Sequence, residues 1–377
     1  MNIGEALGAL GEQPEVWCLA GPWSLLTWDV EAVDPAELPL GAGAGTPDGN
    51  SWTRFPGGFL VQADYAGALH AVRVRSGIRF APDGRAEPFG GARLPTPRAS
   101  VTPRLAGPLT PAWSGSEHAA RVDRLRGHIA AGDCYQVNLT VPFHGTLAAG
   151  DDLGVAATLL ERDPPAFGAV IRRPGRPTVI SHSPECFLAV AGSTILSCPI
   201  KGTRRSGRRA ELLTAEKDRA ELAMIVDLVR NDLGRVAERG SVRVTDPGRI
   251  MDLSYVHHLV ADVCATLRPA TRWDELFAAA FPAGSITGAP KAMAMHLISQ
   301  FESGPRGAYC GTFGWVGGEA GVTRAQLAVA IRTLTVRGTQ VAVHAGSGIV
   351  ADSDGAAEWD EVRAKASVMA AALGGTV

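Results

Sequence analysis

The stretch Glu185-Cys-Phe-Leu-Ala-Val-Ala-Gly-Ser-Thr-Ile-Leu-Ser-Cys-Pro-Ile-Lys-Gly-Thr203 holds two runs of strand-forming residues joined by a turn of small residues. The runs 185–190 and 194–198 read as β-strands, and Ala191-Gly192-Ser193 reads as a hairpin turn between them. Successive strands joined by tight turns imply an antiparallel sheet. Pro199 and Gly202 then punctuate the chain, so that Lys201 is predicted just past the end of the second strand, with its amine on a rigid edge. An ammonium cannot attack anything, but burial in a dry pocket and nearby positive charge (Arg204, Arg205 or a metal) favour the free amine. Lys201 is therefore a candidate nucleophile, although a lysine beside two arginines in a glycine-rich turn also suits a solvated basic loop.

Upstream, residues 1–93 form a β-rich subregion with strand-like runs such as Trp23-Ser-Leu-Leu-Thr-Trp28 and Gly58-Phe-Leu-Val-Gln-Ala63. Pro95, Pro97, Pro103, Pro108 and Pro111 predict an extended, poorly ordered connector over 94–115. The residues that suggest chemistry all lie in 116–377. Ser116 is the predicted N-cap of a helix carrying Val122, Leu125 and Ile129 on one stripe and ending at Gly132. An alternating strand follows over 133–140.

Downstream of Lys201 the longest helical pattern covers 211–235, with Leu222, Ile225, Leu228 and Val229 on one stripe and Glu221 on its flank. In the strand 255–260 His257 and His258 must face opposite sides, and His258 is the one assigned to a pocket. The run Phe281-Pro-Ala-Gly-Ser-Ile-Thr-Gly-Ala-Pro-Lys291 opens a helix over 292–301, and its backbone N–H groups suit an anion. It is not a P-loop, because Lys291 follows Pro290 and precedes Ala292. Arg332 is predicted inside an apolar strand over 327–334, where a buried charge needs a partner; a substrate carboxylate would serve. The glycines of His344-Ala-Gly-Ser-Gly-Ile-Val350 allow a ligand close to the backbone. The last helix, starting near Ser353 or Asp354, sets Glu358 and Glu361 on one face with Lys365 a turn later. Taken singly, each of these also has a plain structural reading: a solvent-facing helix glutamate, a core histidine, an acidic first turn.

The totals exclude several classes. With 36 basic against 38 acidic residues and a net charge of −2, no global field draws the protein to nucleic acid or to an anionic membrane. The basic cluster 204–209 is only local. Met1-Asn-Ile-Gly-Glu-Ala6 is no export signal and no window approaches ~18 consecutive apolar residues, so a cytoplasmic protein is expected. Six cysteines without a C-x-x-C pair fit reduced thiols better than disulfides or zinc.

Taken together and in order, these segments resemble the chorismate-utilising enzymes, the family of anthranilate synthase component I, aminodeoxychorismate synthase component I and the isochorismate and salicylate synthases. The resemblance runs from about residue 116 to 373. It is carried by Gly132-Asp133 with Tyr135-Gln136-Val137-Asn138, Ser183-Pro184-Glu185, Pro199-Ile-Lys-Gly-Thr-Arg204, Glu221 to Asp232, His258-Leu-Val260, Gly288-Ala-Pro-Lys291, Tyr309 with Gly311, Ile331-Arg-Thr333, Ala345-Gly-Ser-Gly-Ile-Val350, and Glu358 with Glu361.

The resemblance implies an α+β, anthranilate-synthase-like fold of two antiparallel β-sheets packed as a sandwich, with helices on the outside and the site between halves. It implies a Mg2+ ion on Glu221 and Glu361, with Glu358 one layer further out, binding the C1 carboxylate of chorismate. It also implies that Tyr309, Arg332 and the backbone of Gly346, Ser347 and Gly348 grip the enolpyruvyl side, while Ser285, Gly202 and Thr203 contact the ring side.

Position 201 discriminates among members. Anthranilate synthases resemble Pro-Ile-Ala-Gly-Thr there, whereas the lysine variant is similar to aminodeoxychorismate synthases, in which the amine attacks C2 of chorismate and expels the C4 hydroxyl. Glu185, kept protonated by its pocket, is the expected acid for that hydroxyl. Isochorismate and salicylate synthases carry a lysine base where Gln136 stands, and glutamine cannot deprotonate water. His258 matches the residue that assists pyruvate elimination in anthranilate synthases, so that enzyme is the first rival. A catalytically silent binding subunit is the second, but it would be expected to have lost Glu221, Glu361 or Lys201. No glutaminase set of cysteine, histidine and glutamate is found, so ammonia is expected from a glutamine amidotransferase partner, for p-aminobenzoate and folate biosynthesis. Without a Leu-Leu-Glu-Ser motif, tryptophan inhibition is not expected.

Overall fold

Cys186–Ala191 and Thr194–Cys198 pair antiparallel, forming the hairpin read from the sequence. In this computed structural model, which describes residues 1–377 except 42, 44, 52, 97–100, 163, 206, 254 and 255, the ladder runs outward from that hairpin in both directions. On one side Thr194–Cys198 meets Val256–Thr266, which also pairs with Ile200–Arg205 and Arg243–Asp252. On the other, Cys186–Ala191 meets Val322–Val329, followed by Thr312–Glu319, Gly58–Ala63, Leu69–Phe80 and Ser24–Val33. The path continues through Val16–Ala20, Phe167–Arg172, Thr178–Ser183, Thr333–Arg337, Gln340–Ile349 and Gln136–Ala149. Every one of these pairings is antiparallel.

The hydrogen bonds thus join one large sheet, where two separate sheets were expected. Long strands carry the ladder through what would have been the gap. Ser24–Val33 pairs along Leu69–Phe80 with register shifts between Leu26 and Asp29 and between Asp29 and Val30. Such bulges bend and twist a strand without ending its pairing.

One apolar cluster is drawn almost wholly from strands and includes Trp17, Leu60, Phe167, Phe313 and Trp315. Two others place helices against the sheet. Gly355–Ala372 and Asp152–Arg162 bury Val362, Ala366, Leu153 and Leu160 beside Phe143 and Val343. Glu216–Gly234 buries Leu222, Ile225, Val229 and Leu233 beside Leu259, Ala261 and Val263. At ~25 cal/mol per Å² of apolar surface, burying one such leucine stabilises by about 2 kcal/mol, so these stripes fix where the helices lie.

Several local readings shift. Ser114, not Ser116, caps the helix Gly115–Ala130: its hydroxyl accepts from the Glu117 N–H while the Glu117 carboxylate accepts from the Ser114 N–H. The pattern over 211–235 is two helices, Arg209–Thr214 and Glu216–Gly234, because Ala215 leaves helical geometry at ψ 90°. Lys201 does fall just past the end of Thr194–Cys198, but on a further strand, Ile200–Arg205, since the chain resumes pairing with Val256–Thr266 after Pro199. The predicted strand over 327–334 breaks after Val329, and Arg332 stands in the break at φ +49°. There the Ile331 N–H turns back to the Val329 carbonyl, and Thr333–Arg337 leaves to pair with Thr178–Ser183. Of the strand expected over 255–260, Tyr255 lies outside the described residues.

Candidate active site

Gly202 shapes the site locally. It sits at φ +65°, a region that only glycine occupies cheaply, and the ladder shifts register between Lys201 and Thr203. Lys201 and Thr203 are thereby set apart from simple strand alternation. The Lys201 side chain is 12% exposed, with its Nζ 3.9 Å from Glu221 Oε2. Burial pushes its ammonium below the ordinary lysine range, Glu221 pulls it back, and the Lys365 ammonium lowers it again.

Glu185 stands at the start of the neighbouring strand. Burial raises its carboxyl to about 7, against the lowering effects of the Ser285 hydroxyl, the Lys201 charge and the Ile200 N–H. The Ser285 Oγ donates to Glu185 Oε1. Burial thus moves both groups toward their uncharged forms, while the charge of each opposes that shift in the other.

A second group of contacts runs from Thr203 to Arg332. Arg332 Nη2 lies 3.1 Å from His258 Nε2, and His258 Nδ1 lies 3.0 Å from Thr203 Oγ1. A guanidinium can only donate, so Nε2 accepts and Nδ1 carries the proton. Burial and the Arg332 charge push the His258 imidazole down to about 3, which keeps it neutral. His257 points the other way, to Asp252 at 2.6 Å, as strand alternation requires. The turn holding Tyr309 runs beside this group, since the Cys310 N–H bonds the Ala330 carbonyl. The Tyr309 ring is buried and stacks on His344, 5.5 Å between centroids.

The backbone from Gly346 to Gly348 forms a third wall. A side chain at Gly348 would place its Cβ 2.7 Å from Gln136 Nε2 and 3.5 Å from Lys201 Nζ, so the glycine leaves a gap flanked by both. Gln136 is fully buried, and neither its amide oxygen nor its nitrogen has a hydrogen-bond partner among the described residues. The Ser347 hydroxyl, too, is buried without a partner among the described residues. Orphaned buried polar atoms are costly, and a polar ligand in the gap beside Gly348 would satisfy the Gln136 amide.

The last helix supplies the carboxylates. Lys365 Nζ bonds Glu361 Oε1 at 2.7 Å and the Gly346 carbonyl at 2.8 Å, tying the helix to the glycine wall. Burial would raise the Glu361 carboxyl, but the Lys365 charge outweighs it and holds the group low. Glu358 is buried and accepts from Ser353 Oγ. Across from them, burial raises Glu221, and the Asp218 and Glu361 charges add to this against Lys201 and Lys217. Among the described residues no group of three or more histidine, cysteine, aspartate and glutamate side chains is arranged to hold a metal ion. Glu221 and Glu361 feel each other's charge, and two such carboxylates fit a small hard cation that keeps most of its waters, with Lys365 beside Glu361 and Lys201 beside Glu221.

Lys201, Glu185, Ser285, Glu221 and Glu361 connect through contacts or shared charge, as do Thr203, His258 and Arg332; Glu358 lies one turn before Glu361, and the Tyr309 ring rests on His344. Three features were not read from the sequence: the Thr203–His258–Arg332 chain, the orphaned Gln136 amide and the Lys365 bridge. Only the last had a local signal, its four-residue spacing from Glu361. Lys291 turns inward to Asp232 Oδ2 and the Ala280 carbonyl, each at 2.8 Å, and is engaged there and not at an anion site.

A sheet of this topology with a buried lysine, an acid and facing carboxylates defines a class: the chain belongs to the chorismate binding enzyme family, whose sequence profile matches residues 54–371. Aminodeoxychorismate synthase component 1 of Klebsiella aerogenes is 40% identical over 265 residues, covering 67% of this chain and 58% of that protein. Anthranilate synthase component 1 of Streptomyces coelicolor is 38% identical over 314 residues, covering 80% of this chain and 59% of that protein. The chain spans less than two thirds of either relative. In fold it matches the menaquinone-specific isochorismate synthase MenF of Escherichia coli, with TM-score 0.77, 16% identity, 99% of this chain and 91% of that one. Anthranilate synthase component I of Streptococcus pneumoniae matches with TM-score 0.71, 24% identity, 94% of this chain and 90% of that one. Among the described residues no helix is long and apolar enough to cross a membrane.

Proposed function

We propose that this chain is the chorismate-aminating component of an aminodeoxychorismate synthase, acting in the cytoplasm in p-aminobenzoate and folate biosynthesis. One observation carries the reading: a buried lysine amine, pushed toward neutrality, stands within electrostatic reach of an acid that stays protonated to about pH 7. Relatives of the same name add support.

Lys201 attacks C2 of chorismate, the double bond shifts, and the C4 hydroxyl leaves as water with the Glu185 proton. Ammonia then adds at C4, Lys201 departs from C2, and Glu185 recovers a proton from the new amine. The product is 4-amino-4-deoxychorismate with its enolpyruvyl side chain intact. Arg332 and Tyr309 hold the enolpyruvyl carboxylate, and Gly346 to Gly348 let the substrate approach the backbone. Ser285, Gly202 and Thr203 face the ring. Glu221 and Glu361 would hold Mg2+, with Glu358 behind them, and the bound ion would supply positive charge to the substrate's C1 carboxylate. Gln136 cannot act as a base, which disfavours water as the nucleophile. Ammonia is supplied by a glutamine amidotransferase subunit.

The test is turnover of chorismate with Mg2+ and ammonium, products being resolved by mass. Lys201→Ala is expected to lose aminodeoxychorismate formation, and equal turnover would refute the covalent role. A second reading, anthranilate synthase component I, is favoured by His258 at the site and by relatives of similar identity. It predicts a fluorescent product and release of pyruvate.

A further inference from the structure

A cavity of about 20 Å³ lies against Glu185, between the hairpin strands and the helix Glu216–Gly234. That volume admits one molecule the size of water. Its polar lining comprises Glu185, Ser197, Ser285 and Asp232, and Val229 belongs to its apolar wall. Asp232 is already held by Lys291 at 2.8 Å, and Ser285 already donates to Glu185. Ser197 differs: it is 6% exposed, and its hydroxyl makes no hydrogen bond among the described residues. A hydroxyl without a partner at a cavity that also reaches the Glu185 carboxyl calls for one small polar guest.

The proposed chemistry says which guest. Two successive displacements with the same facial course bring the incoming nitrogen to the face from which the hydroxyl left. The acid that protonates that hydroxyl marks this face, so the second nucleophile must approach C4 from the side of Glu185. We propose that the cavity is the seat of one ammonia molecule, held by Ser197 beside Glu185 for attack on C4; this rests on the amination reading above. The steps balance. As the Lys201–C2 bond forms, the C4–O bond breaks and the Glu185 proton leaves with the hydroxide as water. As the N–C4 bond forms, the Lys201–C2 bond breaks and one ammonia proton passes to the Glu185 carboxylate.

Ser197→Thr places a methyl group in the cavity on a residue type that strands accept. It is expected to raise the KM for ammonium chloride at fixed pH roughly tenfold or more, the usual cost of one misplaced methyl in a fitted pocket. The KM for chorismate and the rate of Lys201 adduct formation, read by intact mass without ammonia, should stay as in the wild type. Val229→Ala enlarges the same cavity and should admit methylamine, giving an N-methyl product that the wild type does not make. An unchanged ammonium KM in folded Ser197→Thr overturns the proposal; if that variant does not fold, failure of Val229→Ala to incorporate methylamine overturns it. A wild type that forms no Lys201 adduct overturns the proposed function itself, and this inference with it.

Discussion

Lys201 and Glu185 are each pushed away from the charge they carry in water, and the pH dependence of turnover follows from that. Activity needs the amine neutral and the acid protonated. On the proposed mechanism the pH–rate profile should therefore be bell-shaped, with one limb at about 7 set by Glu185 and the other set by Lys201, shifted below the ordinary lysine range by burial. Glu185→Gln is expected to abolish the limb near 7, leaving a low residual rate that follows the Lys201 limb alone in a pH–rate profile. Stability carries the same signature. The Glu185 carboxyl titrates near 4.5 when unfolded and about 7 when folded, so the folded state binds its proton more tightly. Its contribution is fully present below pH 4.5 and is lost as pH rises through about 7. Glu185→Gln should thus stabilise the protein at pH 8 by on the order of 3 kcal/mol relative to wild type, with little difference at pH 4, measured by urea unfolding. Gln136 offers a complementary test. Gln136→Glu sets a carboxylate beside the lysine, raises the lysine's proton affinity, and should move the lysine limb of adduct formation to higher pH; an unmoved limb would show that the amide does not face the amine.

At the scale of elements, the strand Ile200–Arg205 depends on Gly202. A Cβ there would meet Asp218 and Leu212 at 3.0 Å in a left-handed backbone. Gly202→Ala is expected to lose about 1–2 kcal/mol of stability from the backbone alone, with a larger loss of kcat because Lys201 and Thr203 must both shift. Thermal unfolding and steady-state kinetics would separate the two. This element also shows what a sequence can and cannot convey. The hairpin before it was legible because turn residues and strand formers alternate locally. The resumption of the strand through Lys201 was not, because Pro199 and Gly202 are the same residues that would end one. Arg332 misled in the opposite direction: the apolar run around it has a strand's composition, and nothing local marks the turn at which it takes a positive φ. Glu221, Glu361 and His258 were legible through spacing and motif order, whereas the pairing of His258 with Arg332 joins residues 74 positions apart and has no local signal.

For the whole molecule, the first 93 residues are not an appendage. Val16–Ala20 pairs with Phe167–Arg172, and Gly58–Ala63 pairs with Thr312–Glu319. Deleting residues 1–93 would open two interior strand edges and uncover Phe313 and Trp315, which are buried now. The truncated chain is expected to aggregate on expression and to show no cooperative unfolding by circular dichroism. The continuity of the sheet escaped the sequence reading because periodicity reports which face a strand buries and not which distant strand it joins. The ladder between Gln136–Ala149 and Gln340–Ile349 has one more consequence. Ten consecutive residue pairs without a slip set Gly346, Ser347 and Gly348 opposite Thr140, Leu139 and Asn138. It acts as a ruler for the pocket, so inserting a single residue anywhere along it would exchange inward for outward side chains and carry Gln136 out of alignment with the lysine while every catalytic group remained in the chain.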